Sequence, residues 1–166
     1  LSRRDRRFVT LACVAAADFD SDLRDHVYAA LNSGDITITE MREAVLHFAV
    51  YAGWPKASRF NGVVDDQWER ICRDRGQAAP APEPLLPLPT PSEPEARMAV
   101  GEESFRTINC LPFAPTRDNP YSGAGILNFV FGEMWLRPGL GLKERRLVTV
   151  ACVAFQDAPL PILSHV

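Results

Sequence analysis

The feature that most constrains this chain is that it repeats itself. Shifted by 139 positions, residues 1–27 lie over residues 140–166 without a gap, and 12 of the 27 positions are identical: Leu1, Arg6, Arg7, Val9, Thr10, Ala12, Cys13, Val14, Ala15, Asp18, His26 and Val27. Chance would give roughly two. Most other positions are conservative exchanges, such as Asp5 for Glu144, Phe8 for Leu147 and Leu11 for Val150. A repeat of this length means two copies of one supersecondary unit, with shared apolar faces to bury. The chain opens inside one copy and stops inside the next, which reads as a fragment, a processed protein or a chain with missing ends. The apolar faces of the duplicated segment, Val9, Ala12, Cys13 and Ala16 in one copy and Val148, Ala151, Cys152 and Phe155 in the other, are expected to pack against each other.

Helical signals dominate and strand signals are weak, so the expected fold class is all-α, a helical bundle built from two incomplete repeats. Ser2-Arg3-Arg4-Asp5 forms a capping box with Asp in the return position and starts a helix running to about Ala17. A second helix begins after Ser21 and ends at Gly34, a good left-handed cap. Thr37-Ile38-Thr39-Glu40 is a capping box in its preferred form, starting a third helix closed by Gly53. Pro55 suits the first turn of a fourth, carried to about Asp74 by Phe60, Val63, Val64, Trp68 and Ile71. Between Pro80 and Pro94 seven of 15 residues are proline, which removes backbone donors and favours an extended path. Helical signals resume from Pro94 to about Ile108, then from about Gly125 to Trp135, then at Leu142. The expected organisation is a first module at 1–75, a Pro-rich linker at 76–93 and a second module at 94–166.

With 46% apolar residues and 23% charged ones, a chain of 166 residues can bury a core. Its net charge of −3 comes from interspersed signs, with no basic stripe to track phosphates, so nucleic acid is not an expected partner. No apolar run reaches the roughly 18 residues needed to span a bilayer, and the N-terminus lacks the apolar stretch of a signal peptide, so no membrane partner and a cytoplasmic location are expected. Cys13, Cys72, Cys110 and Cys152 form no C-x-x-C pair and, with three scattered histidines, match no metal spacing. Cys13 and Cys152 sit at equivalent places in an Ala/Val-rich helix and read best as buried small hydrophobes.

The run FGEMWLRPGLGLKERRLVTVACVA, together with LSRRDRRFVTLACVAA, His26-Val27, Ala29-Ala30-Leu31-Asn32-Ser33-Gly34 and His47-Phe48-Ala49-Val50-Tyr51-Ala52-Gly53-Trp54-Pro55, resembles the carboxymuconolactone decarboxylase family. The resemblance covers about 1–75 and 119–166, and it implies small all-helical proteins that assemble into oligomers, in a superfamily shared with alkylhydroperoxidase D-like proteins. That peroxidase branch uses a glutamate, a C-x-x-C pair and a histidine four residues further on. With His26 as that histidine, this chain has Arg7, Phe19 and Asp22 in the other places, and in the second copy Arg146, Ala158 and Pro161. Without a thiol pair, no disulfide cycle can run.

The resemblance therefore implies a cofactor-free decarboxylase, a carbon–carbon lyase acting on a small carboxylated lactone such as 4-carboxymuconolactone, with no metal and a homo-oligomeric assembly. Such a reaction needs an apolar place for the departing carboxylate, donors for a growing oxyanion and an acid to return a proton to carbon. His26, which recurs as His165, is the expected proton donor. His47, Tyr51 and Trp54 share one helix face and are candidate pocket residues, although such a face also suits a core. Arg6 and Arg7, recurring as Arg145 and Arg146, are candidates to clamp a carboxylate, although arginines near a helix start are commonly solvated or ion-paired. The other reading is a non-catalytic or repurposed family member whose repeats serve assembly or small-molecule binding.

Overall fold

A computed structural model describes residues 1–78, 81, 84–157, 163 and 165. Among these every regular element is helical: α1 (Arg3–Ala16), α2 (Asp20–Asn32), α3 (Ile38–Ala52), α4 (Trp54–Asp74), α5 (Pro94–Asn109), a π-helix π1 (Tyr121–Met134) and α6 (Leu142–Phe155). The all-α expectation therefore holds. Both capping boxes form as the sequence predicts, Ser2 with Asp5 at the start of α1 and Thr37 with Glu40 at the start of α3. Each satisfies two backbone donors that a helix start otherwise leaves open. Gly53, at φ 93°, ends α3 in a conformation that side chains resist, and so lets α4 fold back against α3 directly.

The chain separates into two compact units, Leu1–Pro84 with Leu140–Ile162, and Leu85–Gly139 with Leu163–Val166. This spatial division differs from the linear one that the sequence suggests. The helix α6, drawn with the second module by its place in the chain, packs against α1 and α3 instead. The reason lies in its apolar face: Val148, Ala151 and Cys152 join Phe8, Leu11, Leu23, Val27, Met41, Phe48 and Phe60 in one buried cluster. The expected contact between the first and last helices is thus present. Part of the expected linker (residues 79, 80, 82 and 83) and part of the repeat (158–162, 164 and 166) lie outside the described residues.

In the second unit, α5 packs along π1. Hydrogen bonds from the Gly125 N–H to the Pro120 carbonyl and from the Trp135 N–H to the Val130 carbonyl, both 3.0 Å, show the i→i+5 register that widens π1. A Cβ on Gly101 would overlap the Leu127 carbonyl, so only glycine allows α5 to come this close. Periodicity alone predicts a helix here, beginning at about Gly125, but cannot distinguish its register.

Charge fastens α1 to α6. The Lys143 ammonium stands 2.7 Å from Oδ2 of Asp5, and the Arg4 guanidinium 3.5 Å from Oε1 of Glu144. Lys143, and then the Ser2 backbone N–H, hold the Asp5 carboxyl down at about 2 against an ordinary 3.8. A carboxyl whose folded value is lowered stabilises the fold above its unfolded value and loses that contribution as pH falls through the folded one. Acid titration followed by circular dichroism is therefore expected to show stability lost between about pH 4 and pH 2. In Asp5→Asn this step should shrink.

Candidate functional site

A cluster of buried polar groups lies between α3 and α6. Glu43 and His47 are one turn apart on α3, and Arg145 and Thr149 are one turn apart on α6, so facing helices place them in two rungs. In the first, Nη2 of Arg145 lies 3.5 Å from Oε2 of Glu43. In the second, Nε2 of His47 and Oγ1 of Thr149 share a 2.9 Å hydrogen bond whose direction follows the imidazole tautomer. Beyond them the Gln156 amide donates to the Tyr51 carbonyl, and the Tyr51 ring lies 5.3 Å from that of His47. Arg145 is 1% exposed, Glu43 7%, and His47 and Thr149 0%. Charges so far from water need opposite charge and hydrogen bonds around them, and α3 and α6 supply these to each other.

Three of the residues expected to bind substrate, His47, Tyr51 and Arg145, thus come together, but as parts of a helix-to-helix ladder with two of them sealed from solvent. The other expected residues stand elsewhere. Trp54 is 56% exposed and lines a cavity of about 300 Å³ between α3 and α4, with Arg42, Val45, Leu46, Ala49 and Ala57. Arg6 is exposed and donates to the Leu1 carbonyl at 2.9 Å. Arg7 is half-buried, with Nε 3.4 Å from Oδ2 of Asp35. Arg3, also on α1, lies closer to Asp35, 2.7 Å from Oδ1, and with the Ser33 hydroxyl holds that carboxyl below the usual range. Arg146 is half-buried on α6.

The histidines differ from one another. In the second unit, His165 is buried and stacked on Trp135, with centroids 5.6 Å apart and planes at 12°. His47 is fixed by Thr149. His26, half-buried on α2, makes no hydrogen bond, ion pair or ring contact among the described residues. Glu43 and Thr149 are the members of the ladder that sequence reading missed. The signal was present in the i,i+4 spacing of Glu43 to His47 and in the recurrence of Thr10 as Thr149, but nothing local pairs residues 102 positions apart.

Cys13 and Cys152 lie on the paired helices α1 and α6. Burial, with Cys13 as a second cause, pushes Cys152 up to about 12, and burial also raises Cys13. A thiol needs its thiolate to react, so neither suits redox chemistry near neutral pH. Among the described residues no group of three or more histidines, cysteines and carboxylates could hold a metal ion. No described helix is long and apolar enough to cross a membrane.

These features define a protein whose described elements are all helical and in which α1 and α6, alike in sequence, meet in a shared core. Residues 1–66 match the model of the carboxymuconolactone decarboxylase family. A 58-residue stretch is 38% identical to a 4-carboxymuconolactone decarboxylase from Acinetobacter baylyi, covering 35% of this chain and 42% of that protein. The chain thus spans about two fifths of the length of the curated relative it matches.

Removing Glu43 takes away the carboxylate 3.5 Å from the buried Arg145 guanidinium. Glu43→Ala is expected to destabilise the fold by about 3–5 kcal/mol in urea denaturation. Glu43→Ala combined with Arg145→Met should recover a large part of that loss.

Proposed function

We propose that this chain carries a cofactor-free, decarboxylase-like site that acts on a small carboxylated lactone, with His26 as proton donor. The observation that supports it best is the family match over residues 1–66, a segment that contains His26. Similarity to a 4-carboxymuconolactone decarboxylase supports the same reaction class. Among the three histidines, the surroundings of His26 support this role best. Its imidazole is reachable from solvent and uncommitted to another group among the described residues, whereas His47 is sealed against Thr149 and His165 is stacked under an indole.

The chemistry follows from the substrate class. The bond from the ring to the carboxylate breaks, carbon dioxide leaves, and the electron pair spreads through the ring double bond to the lactone carbonyl oxygen. The substrate is its own electron sink. Protonated His26 then gives its proton to carbon and recovers one from solvent. Arg7, half-buried on α1 and only loosely held by Asp35, is the cation proposed to orient the substrate carboxylate. The reaction is proposed for soluble protein in the cytoplasm, assembled as a homo-oligomer.

A second reading, a family member kept for assembly, is favoured by the use of Arg145 and His47 as buried joints between helices. Turnover separates the two. With 4-carboxymuconolactone as substrate, ultraviolet absorbance should report its loss, and His26→Ala should lower turnover by about 10² or more at an unchanged melting temperature. Equal turnover in His26→Ala would contradict the assignment of the proton donor. Absence of turnover in the unaltered protein would favour assembly.

A further inference from the structure

The bridges between α1 and α6 are images of each other. The 139-residue shift turns Arg4 into Lys143 and Asp5 into Glu144, and the observed pairs are Arg4 with Glu144 and Lys143 with Asp5. When each residue meets the image of its partner, the two copies are related by an approximate two-fold axis. Surroundings found on one helix therefore have a counterpart position on the other, and two of these positions are open. On α6, Arg145, Thr149 and Cys152 are buried, the first two by α3. Their images on α1 are Arg6, exposed, and Thr10 and Cys13, half-buried. Conversely α1, which packs on α2 and α4, buries Leu11, Ala15 and Ala16. The images on α6 are Val150, half-buried, and Ala154 and Phe155, exposed.

We propose that these two faces form one docking surface for a partner polypeptide of α2–α4 type. One of its helices carries a carboxylate and an imidazole one turn apart, as Glu43 and His47 do on α3. That helix lies on α1, where Arg6 meets the carboxylate and Thr10 the imidazole, repeating the ladder that Arg145 and Thr149 make on α6. The partner's remaining helices cover Val150, Ala154 and Phe155. Three observations agree on this occupant: the two-fold relation of the bridges, the identity of Arg6 with Arg145 and of Thr10 with Thr149, and the matching loss of burial on both helices. A cation on one helix and a carboxylate on its partner also select this helix over a merely apolar one.

The test supplies the occupant in cis. Because Val166 corresponds to Val27, a second copy of residues 28–75 joined after Val166 continues the repeat in register. The expected results are added helix in circular dichroism, protease resistance of the appended residues and a single unfolding transition. Arg6→Glu should then lower the melting temperature of the extended protein by about 4 °C or more while barely moving that of the parent chain. Charge reversal at the appended copy of Glu43, to arginine, should restore it. Appended residues digested as fast as an unfolded tail would overturn the proposal. So would an Arg6→Glu shift of equal size in both proteins, or one that the reversed partner leaves uncorrected.

Discussion

Everything in the first unit depends on the pairing of α1 with α6. Neither helix is covered by a single neighbour: α1 packs on α2 and α4 as well as on α6, and α6 packs on α3 as well as on α1. The Asp5 carboxylate sits at the junction, accepting from the Ser2 N–H at 2.9 Å and facing Lys143 at 2.7 Å. One group thus caps α1 and fixes where α6 lies along it. The buried Glu43–Arg145 pair serves a comparable end on the other side of α6. Such a pair returns little net stability over an apolar one, but a slip of α6 by one turn would leave both charges unmatched, which makes register its main effect.

Most of the local structure was legible in the sequence because its causes are local. Capping at Ser2 and Thr37, termination at Gly53 and the amphipathic run of α4 depend on residues within a turn or two of one another. The repeat carried one piece of long-range information, that two like apolar faces need covering. Which side chains meet was not legible. Lys143 and Asp5 are 138 positions apart, and exposed lysines pair with many carboxylates equally well on paper. The register of π1 was hidden for another reason, since i→i+4 and i→i+5 helices bury nearly the same apolar residues.

The candidate site was legible in part. His47, Tyr51 and Arg145 have side-chain types that suit a pocket, and two of them are buried against the facing helix. The same duplicated arginine is exposed as Arg6 and 1% exposed as Arg145, so its environment, rather than its type, decides what it does. Against this background His26 stands out by having an uncommitted imidazole among the described residues, and the family match falls on the segment that holds it. Burial raises the Cys13 and Cys152 thiols, against the ionisation that a peroxidase would need.

The pairing of α1 with α6 is tested most directly by coupling carboxylates to amines with a zero-length carbodiimide and mapping the joined peptides by mass spectrometry. Lys56 and Asp18, 3.1 Å apart in the same unit, provide an internal control for reagent access. An intramolecular link between Lys143 and Asp5 is expected alongside that control. A protein that forms the Lys56–Asp18 link but leaves Lys143 unlinked to Asp5 would contradict the pairing.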